Sequence, residues 1–562
     1  MFKLNFNIRS LKRLLTGGMS LLLLLATNLF SGQIDTLYIL QTTDVHGRIY
    51  PYNYFTDQPA PYGLARAFTK ISEYRQQHQN VLLIDTGDLL QGTPLAYYFN
   101  KVERSRLNPL ILTLNYMGYD AFTVGNHDIE QGVQVYYKAM RESNFPWLSA
   151  NSVLPDGRTF FEPYALFDVN GVRVGIIGLT TPGIPMWLDS TLYPGINWQD
   201  MVESARFWAK ELRPQVDVLV GSFHAGLNAD YSAEQTNRLG LPNENAARLV
   251  AEKVPLFDVI FAGHSHREVG RKARLNVEKK SDNVVQNKQR MTLLLNSGSW
   301  ARNLAVAQII VEADNEKYFV KSIDGWLEPL KNVPPSKAIL DLMLPYHKKI
   351  LEYTQMVIAT LTDTLSATKA RWQDTAFMDL IHQVQLFYSK ADISFAACFD
   401  DRFILPPGPL KVKDVYKMYR YENSLYTVLL TGQQIKDFLE FSARYFEFKN
   451  GNISTNPKMA GYNYDMAEGI AYKIGVRQPV GSRIVDLIDL KTGEPLDLNK
   501  TYKVAMNSYR ATGGGGHMAA AKASNAPVIF KSDEEIRNLL IDYLKTKKVI
   551  NIKANQNWKL IY

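Results

Sequence analysis

Cysteine is almost missing from this chain: Cys398 is the single one among 562 residues. That excludes an intrachain disulfide and any zinc or iron–sulfur centre built on thiolates. Cys398 follows the apolar run Ile393 to Ala397 and reads as a small buried hydrophobe. Beyond the first thirty residues there is also no stretch near the roughly 18 consecutive apolar residues that a membrane helix needs. Charge of one sign is scarce too. The net charge is +8, but Lys3, Arg9, Lys12 and Arg13 fall in the first 32 residues, which hold no Asp or Glu, leaving +4 for the rest. So small a bias excludes a binder of polymeric nucleic acid. What remains is an ordinary globular composition over too many residues for one core, so two domains are expected.

The four basic residues precede a mostly apolar run, Met19 to Phe30, closed by Ser31, Gly32 and Gln33. This is the order of a secretory signal. The run is short for a bilayer, and no cysteine is there to carry a lipid. An uncleaved anchor, Leu14 to Phe30, is the other reading, interrupted by Thr16, Gly17 and Gly18. The expectation is a secreted or periplasmic protein of the bacterial envelope with 1–32 removed and no stable membrane span. No heptad seam asks for a partner, so a monomer is the default.

From about residue 36 to 310, short apolar runs alternate with helical segments, the rhythm of an α/β sheet. Gly63 to His78 and Met201 to Leu212 place their apolar residues on one helix face. The polar stretch Gly270 to Arg290 reads as a solvated excursion between strands. Val333, Pro334 and Pro335 precede a predicted helix, Lys337 to Gln355, which divides the chain into 33–335, a linker helix at 336–359, and 360–562. The last region has helix candidates at Thr375 to Tyr388 and Gln433 to Phe446, strands at Ile393 and at Leu425 to Leu430, and four glycines, Gly513 to Gly516.

Polar residues follow the apolar runs, where open α/β sheets gather their ligands. Asp44 and His46 follow the first run, Asp88 the second, Asn126 and His127 the third, and His224, His264 and His266 follow later ones. Five of the nine histidines cluster in this way. Imidazole, carboxylate and amide oxygen together suit two divalent cations such as Mn, Zn, Fe or Co, and Asp88 can bridge them. If extended, the pairs Asp44 with His46 and His264 with His266 point their side chains the same way.

These blocks, D-x-H, G-D, G-N-H-D, H and G-H-x-H, resemble the calcineurin-type metallophosphoesterases. The resemblance implies an αββα sandwich with two divalent ions, Mn, Zn or Co. One is held by Asp44, His46, Asp88 and His266, the other by Asp88, Asn126, His224 and His264. It makes His127 the residue that stabilises the transferring phosphoryl group or protonates the leaving oxygen. Glu130 stands where the 5'-nucleotidases have an Asp that orients this histidine. Met418 to Ile435, Gly461 to Ile474 and Asn507 to Gly516 resemble the α/β substrate-binding domain of secreted 5'-nucleotidases and of 2',3'-cyclic-nucleotide 2'-phosphodiesterase/3'-nucleotidases. By that resemblance Tyr421 and Tyr509 sandwich a nucleobase, Arg371 and Arg402 contact substrate, and Asn423 and Gly461 bond the base or shape its pocket. Tyr50 to Asp57 and Gly87 to Phe99 are closer to the cyclic-nucleotide branch. The implied substrates are therefore 2',3'-cyclic nucleotides and 3'-nucleotides. A 5'-nucleotidase or UDP-sugar hydrolase, a non-nucleotide ester hydrolase and a silent nucleotide-binding protein are the alternatives.

Overall fold

The computed structural model describes residues 34–227, 240–272, 284–287, 290–314 and 317–561. The leader-like segment 1–32 and much of the stretch from Gly270 to Arg290 lie outside them.

Strands β1 (Ile34–Thr42), β2 (Val81–Asp85), β3 (Ala121–Thr123) and β4 (Trp147–Leu148) pair in parallel. A second sheet has the order β9-β8-β7-β6-β5, formed by β5 (Tyr164–Val169), β6 (Val172–Thr180), β7 (Val218–His224), β8 (Val259–Ala262) and β9 (Arg290–Ser297). The chain then returns to the first sheet with β10 (Asn303–Asp314) and β11 (Lys317–Pro329), giving the order β11-β10-β1-β2-β3-β4. Short strands bring each sheet to seven.

The period of two along each strand stacks the layers. Leu37 and Ile39 of β1 and Leu82 and Ile84 of β2 meet Val218 and Val220 of β7 and Val259 and Phe261 of β8 in a core between the sheets. Alternate residues face outward. Tyr38, Leu40 and Leu83 pack under α1 (Leu64–Gln77), and Leu219, Phe223, Ile260 and Ala262 pack under α3 (Met201–Leu212) and α4 (Ala247–Lys253). Between these, the single-turn helix α2 (Asn126–Glu130) follows β3. Each of the buried Leu, Ile, Val and Phe side chains contributes roughly 1.5–3 kcal/mol by leaving water. The result is a helix–sheet–sheet–helix sandwich.

Helix α5 (Lys337–Gln355) seals the first domain with Ile339, Met343 and Ile350. The second domain is a mixed sheet of order β14-β12-β15-β13-β16, built from β12 (Ile393–Ala397), β13 (Ser424–Thr431), β14 (Asp465–Glu468), β15 (Thr501–Asn507) and β16 (Val528–Glu535). It is flanked by α6 (Ala376–Ser389), α7 (Gly432–Ser442) and α8 (Ile536–Lys547). Cys398 is fully buried in its core. The predicted helix to Phe446 stops at Ser442, and Phe446 opens a strand. The Arg483 guanidinium explains the break, since it takes the carbonyls of Ala443 (2.9 Å) and Phe446 (2.7 Å).

Candidate metal centre

Parallel strands of both sheets end on one rim of the sandwich, and the residues singled out in the sequence stand on it. Asp44 and His46 follow β1, Asp88 follows β2, Asn126 opens α2, His224 ends β7, and His264 and His266 follow β8. The structure brings all seven together. Single ligand atoms of Asp44, His46 and His266 lie within 4.8 Å of one another, and so do those of Asp88, His224 and His264.

The local backbone differs from the extended form expected of the two pairs. Asp44 (φ 50°), His46 (50°), Asp88 (60°), His264 (65°) and His266 (56°) all adopt the left-handed region. Each such residue costs about 1 kcal/mol or more. Lacing between loops imposes it: Asp44 N donates to the Gly87 carbonyl (2.8 Å) and His46 N to the Asp88 carbonyl (2.9 Å). Strand geometry would break these bonds. Glycine is required at the tightest crossing, because a Cβ on Gly125 would sit 2.2 Å from Asp88 Oδ1.

The donor set fits cations. His224 Nδ1 donates to the Thr86 carbonyl (2.6 Å) and His46 Nδ1 to Gln91 Oε1 (3.2 Å), so each ring turns its Nε2 inward, as a lone pair in His46, whereas at His224 burial is outweighed by the charge of Asp88, which raises the ring to about 9. His224 Nε2 then faces Asp88 Oδ2 (3.2 Å) and Asn126 Oδ1 (3.1 Å). His46 Nε2 faces His266 Nε2 (3.0 Å), which lies 3.2 Å from the buried Asp44 Oδ1, an oxygen without a hydrogen bond. Lone pairs pointed at one another are relieved by a metal ion between them. Burial holds His46 and His264 down to about 3, in the neutral form that ligates. Burial acts to raise the Asp88 carboxyl, but His224 and His127 outweigh it and hold it well below the usual range.

His127 stands beside this cluster, its ring centroid 5.4 Å from that of His46. Its backbone N–H donates to Asp88 Oδ1 (2.8 Å), and its Nδ1 lies 2.5 Å from Glu130 Oε2. Glutamate thus reaches the ring across one helical turn. Burial opposes the imidazolium, yet Asp88 and Glu130 raise His127 to about 10.

Two residues went unread in the sequence. Asp128 accepts four backbone N–H groups, those of Asp88 (2.9 Å), Leu89 (3.0 Å), Leu90 (2.9 Å) and Gly125 (2.9 Å). Its signal was present as the last letter of G-N-H-D. Trp187 lies 5.4 Å from the His264 ring, with no motif around it.

In the second domain Tyr421 is 38% exposed and rests edge-on against Phe399 (4.9 Å, 89°). Tyr509 is half-buried within electrostatic reach of it. Arg371 binds Asp401 (2.8 Å) and the Cys398 carbonyl, and a Cβ on Gly461 would meet its guanidinium at 2.3 Å. Arg371 therefore packs against Gly461 with most of its donors already used. Arg402 is exposed and pairs with Asp400 (2.9 Å), which also accepts from Arg420 (2.8 Å). The Asn423 carbonyl accepts from Ile536 N (2.8 Å). Among the described residues no helix is long and apolar enough to cross a membrane.

Residues 37–268 match the calcineurin-like phosphoesterase family, and residues 357–522 match the 5'-nucleotidase C-terminal domain. A trifunctional nucleotide phosphoesterase of Bacillus subtilis is 29% identical over 93% of this chain, which spans only 39% of that longer protein. A 2',3'-cyclic-nucleotide 2'-phosphodiesterase/3'-nucleotidase of Haemophilus influenzae is 26% identical over 96% of this chain and 90% of its own. The crystal structure of a 5'-nucleotidase precursor from Thermus thermophilus is 25% identical, with a TM-score of 0.63 over 94% of this chain and 99% of that one. The chain thus belongs to the calcineurin-like phosphoesterases that carry a 5'-nucleotidase C-terminal domain, metal-dependent hydrolases of phosphoric esters.

Proposed function

We propose that the chain is a nucleotide phosphoesterase that opens 2',3'-cyclic nucleotides to 3'-nucleotides and then releases the remaining phosphate. The observation that carries the reading is the convergence of Asp44, His46 and His266 and of Asp88, His224 and His264 beside the His127–Glu130 pair. These residues and Asn126 would hold divalent ions, which when bound would supply an activated water and neutralise phosphoryl charge. Glu130 fixes His127 Nδ1, which leaves Nε2 to bond the transferring phosphoryl group or to give a proton to the leaving ribose oxygen. Tyr421 and Tyr509 receive the nucleobase by stacking, worth about 1–3 kcal/mol per base and tolerant of base identity. Arg402, Asn423 and the packed pair Arg371 and Gly461 complete the substrate side. Export of the chain is supported by the basic and apolar order of residues 1–32, and the mass of the N-terminus after secretion checks it.

The cyclic and 3' preference has support in the Haemophilus relative, which matches this chain almost throughout. A 5'-nucleotidase is the second reading, supported by the Thermus structure. Phosphate release and product identity from 2',3'-cyclic AMP, 3'-AMP and 5'-AMP, on chelated protein refilled with Mn or Co, decide between them. The cyclic and 3' esters are expected to be turned over fastest. Preference for 5'-AMP replaces the first reading with the second, and turnover of none of them overturns both.

A further inference from the structure

The two domains share a buried polar contact next to the catalytic helix. Gln131, directly after α2, is 3% exposed, and its Nε2 donates to Glu422 Oε2 of the second domain at 2.9 Å. On the first-domain side, the Gln131 carbonyl accepts from Lys101 Nζ (2.9 Å), and the neighbouring Asn100 side chain donates to the Leu90 carbonyl (2.6 Å). Leu90 N is held by Asp128. The Asp88–Leu90 loop, α2 and Gln131 therefore form one hydrogen-bonded body.

On the other side Glu422, 6% exposed, lies between Tyr421 and Asn423 in sequence, and its Oε1 is 3.6 Å from Arg537 Nη1. Arg537 donates to the carbonyls of Tyr419 and Arg420 (3.0 Å each) and packs over the Tyr416 ring (4.4 Å). With Ile536 N on the Asn423 carbonyl, the loop 419–423 is pinned to the start of α8. A buried carboxylate that spans a guanidinium and an amide has few alternative partners, so the loop and α2 hold one relative position.

We propose that Glu422 is a positioning residue that, through Gln131, couples occupation of the nucleobase site to the placement of the His127–Glu130 pair. The proposal rests on the reading of Tyr421 and Asn423 as base contacts. A base seated on Tyr421 bears on the loop that Glu422 and Arg537 pin, and Gln131 carries the loop's position to α2. An ester without a base makes no use of the connection.

The test uses the full two-domain protein loaded with Mn. Its substrates are the preferred nucleotide and 2-glycerophosphate, a phosphate ester without a base. Gln131→Leu and Glu422→Ala are each expected to lower kcat on the nucleotide about tenfold, with KM within about threefold, and to leave 2-glycerophosphate turnover within about twofold. The double variant is expected to be no worse than the poorer single one. Glu422→Gln, whose amide oxygen still accepts from Gln131, is expected to recover most of the loss. Equal losses on both esters, or effects that multiply in the double variant, overturn the coupling. If Glu422→Ala fails to fold because Arg537 loses its partner, Gln131→Leu carries the test, since it leaves that pair in place. Tyr421→Ala separates the two levels. A raised nucleotide KM in Tyr421→Ala with a silent Gln131→Leu overturns the coupling alone, whereas an unchanged KM in Tyr421→Ala overturns the base-site reading and the coupling with it.

Discussion

Asp128 shows how much of the metal centre depends on a side chain that ligates nothing. Its two oxygens take four N–H groups from the loops carrying Asp88 and Asn126. An asparagine there presents one oxygen and one NH2, so about half of those donors face another donor. Unmet buried donors cost about 1–3 kcal/mol each. Asp128→Asn is therefore expected to weaken metal retention in a chelator titration and to lower the thermal midpoint. His127→Ala removes the proposed phosphoryl contact, a ring outside both ligand groups, and keeps the backbone N–H on Asp88 Oδ1, so metal content by elemental analysis is expected to stay full while kcat falls by about two orders of magnitude or more. Asp88→Ala is expected to do the reverse first, emptying the site, because it takes the carboxylate out of the group that Asp88 forms with His224 and His264. Full metal occupancy in Asp88→Ala contradicts that role.

The way elements meet divides what the sequence discloses from what it conceals. The strand ends were legible because apolar runs stop abruptly at Asp44, Asp88, Asn126 and His264, and period-two burial follows directly from those runs. The left-handed turns were not legible, because they come from backbone lacing between loops some forty residues apart, such as Asp44 N to the Gly87 carbonyl. The contact of Gln131 with Glu422, 291 residues apart, leaves no local pattern at all. Nor did the end of α7 at Ser442, which a distant arginine, Arg483, determines. The aromatic run after the first ligand loop is intermediate: its tyrosines were visible, their partner was not. Tyr50 stacks on His347 of α5 (4.0 Å, 6°), and the Tyr54 hydroxyl bonds His347 Nδ1 (2.9 Å). A stacked pair contributes about 0.5–1.5 kcal/mol and a buried hydrogen bond about 1 kcal/mol. His347→Ala is accordingly expected to cost about 2 kcal/mol in urea unfolding of the first domain while leaving KM unchanged.

Across the whole molecule, the two domains are linked by more than α5. Tyr97 of the first domain packs into the core of the second, and Tyr426 and Lys531 of the second reach Asp189 of the first. The second domain also carries a pair of carboxyl groups, Asp374 and Asp379, that grip one strap of chain. Asp379 Oδ2 accepts from Asn555 N (2.9 Å) and Asp374 Oδ2 from Gln556 N (2.7 Å), while Asn555 also donates to Glu468 (2.8 Å). Burial, and then the neighbouring Asp374 charge, push the Asp379 carboxyl up to about 7. In the unfolded chain an aspartate ionises near 3.9. Between about pH 4 and pH 7 the folded state therefore holds a proton that the unfolded state has released, so stability contributed by this group falls as pH rises through that window and levels off above it. Asp379→Asn keeps the acceptor for Asn555 N and never ionises. The second domain of the wild type is expected to melt higher at pH 5 than at pH 8, and Asp379→Asn to narrow that difference by about 5 °C, mostly by raising the pH 8 midpoint. Scanning calorimetry of both proteins at the two pH values checks it. An unchanged difference in the variant means that Asp379 is ionised in the folded state.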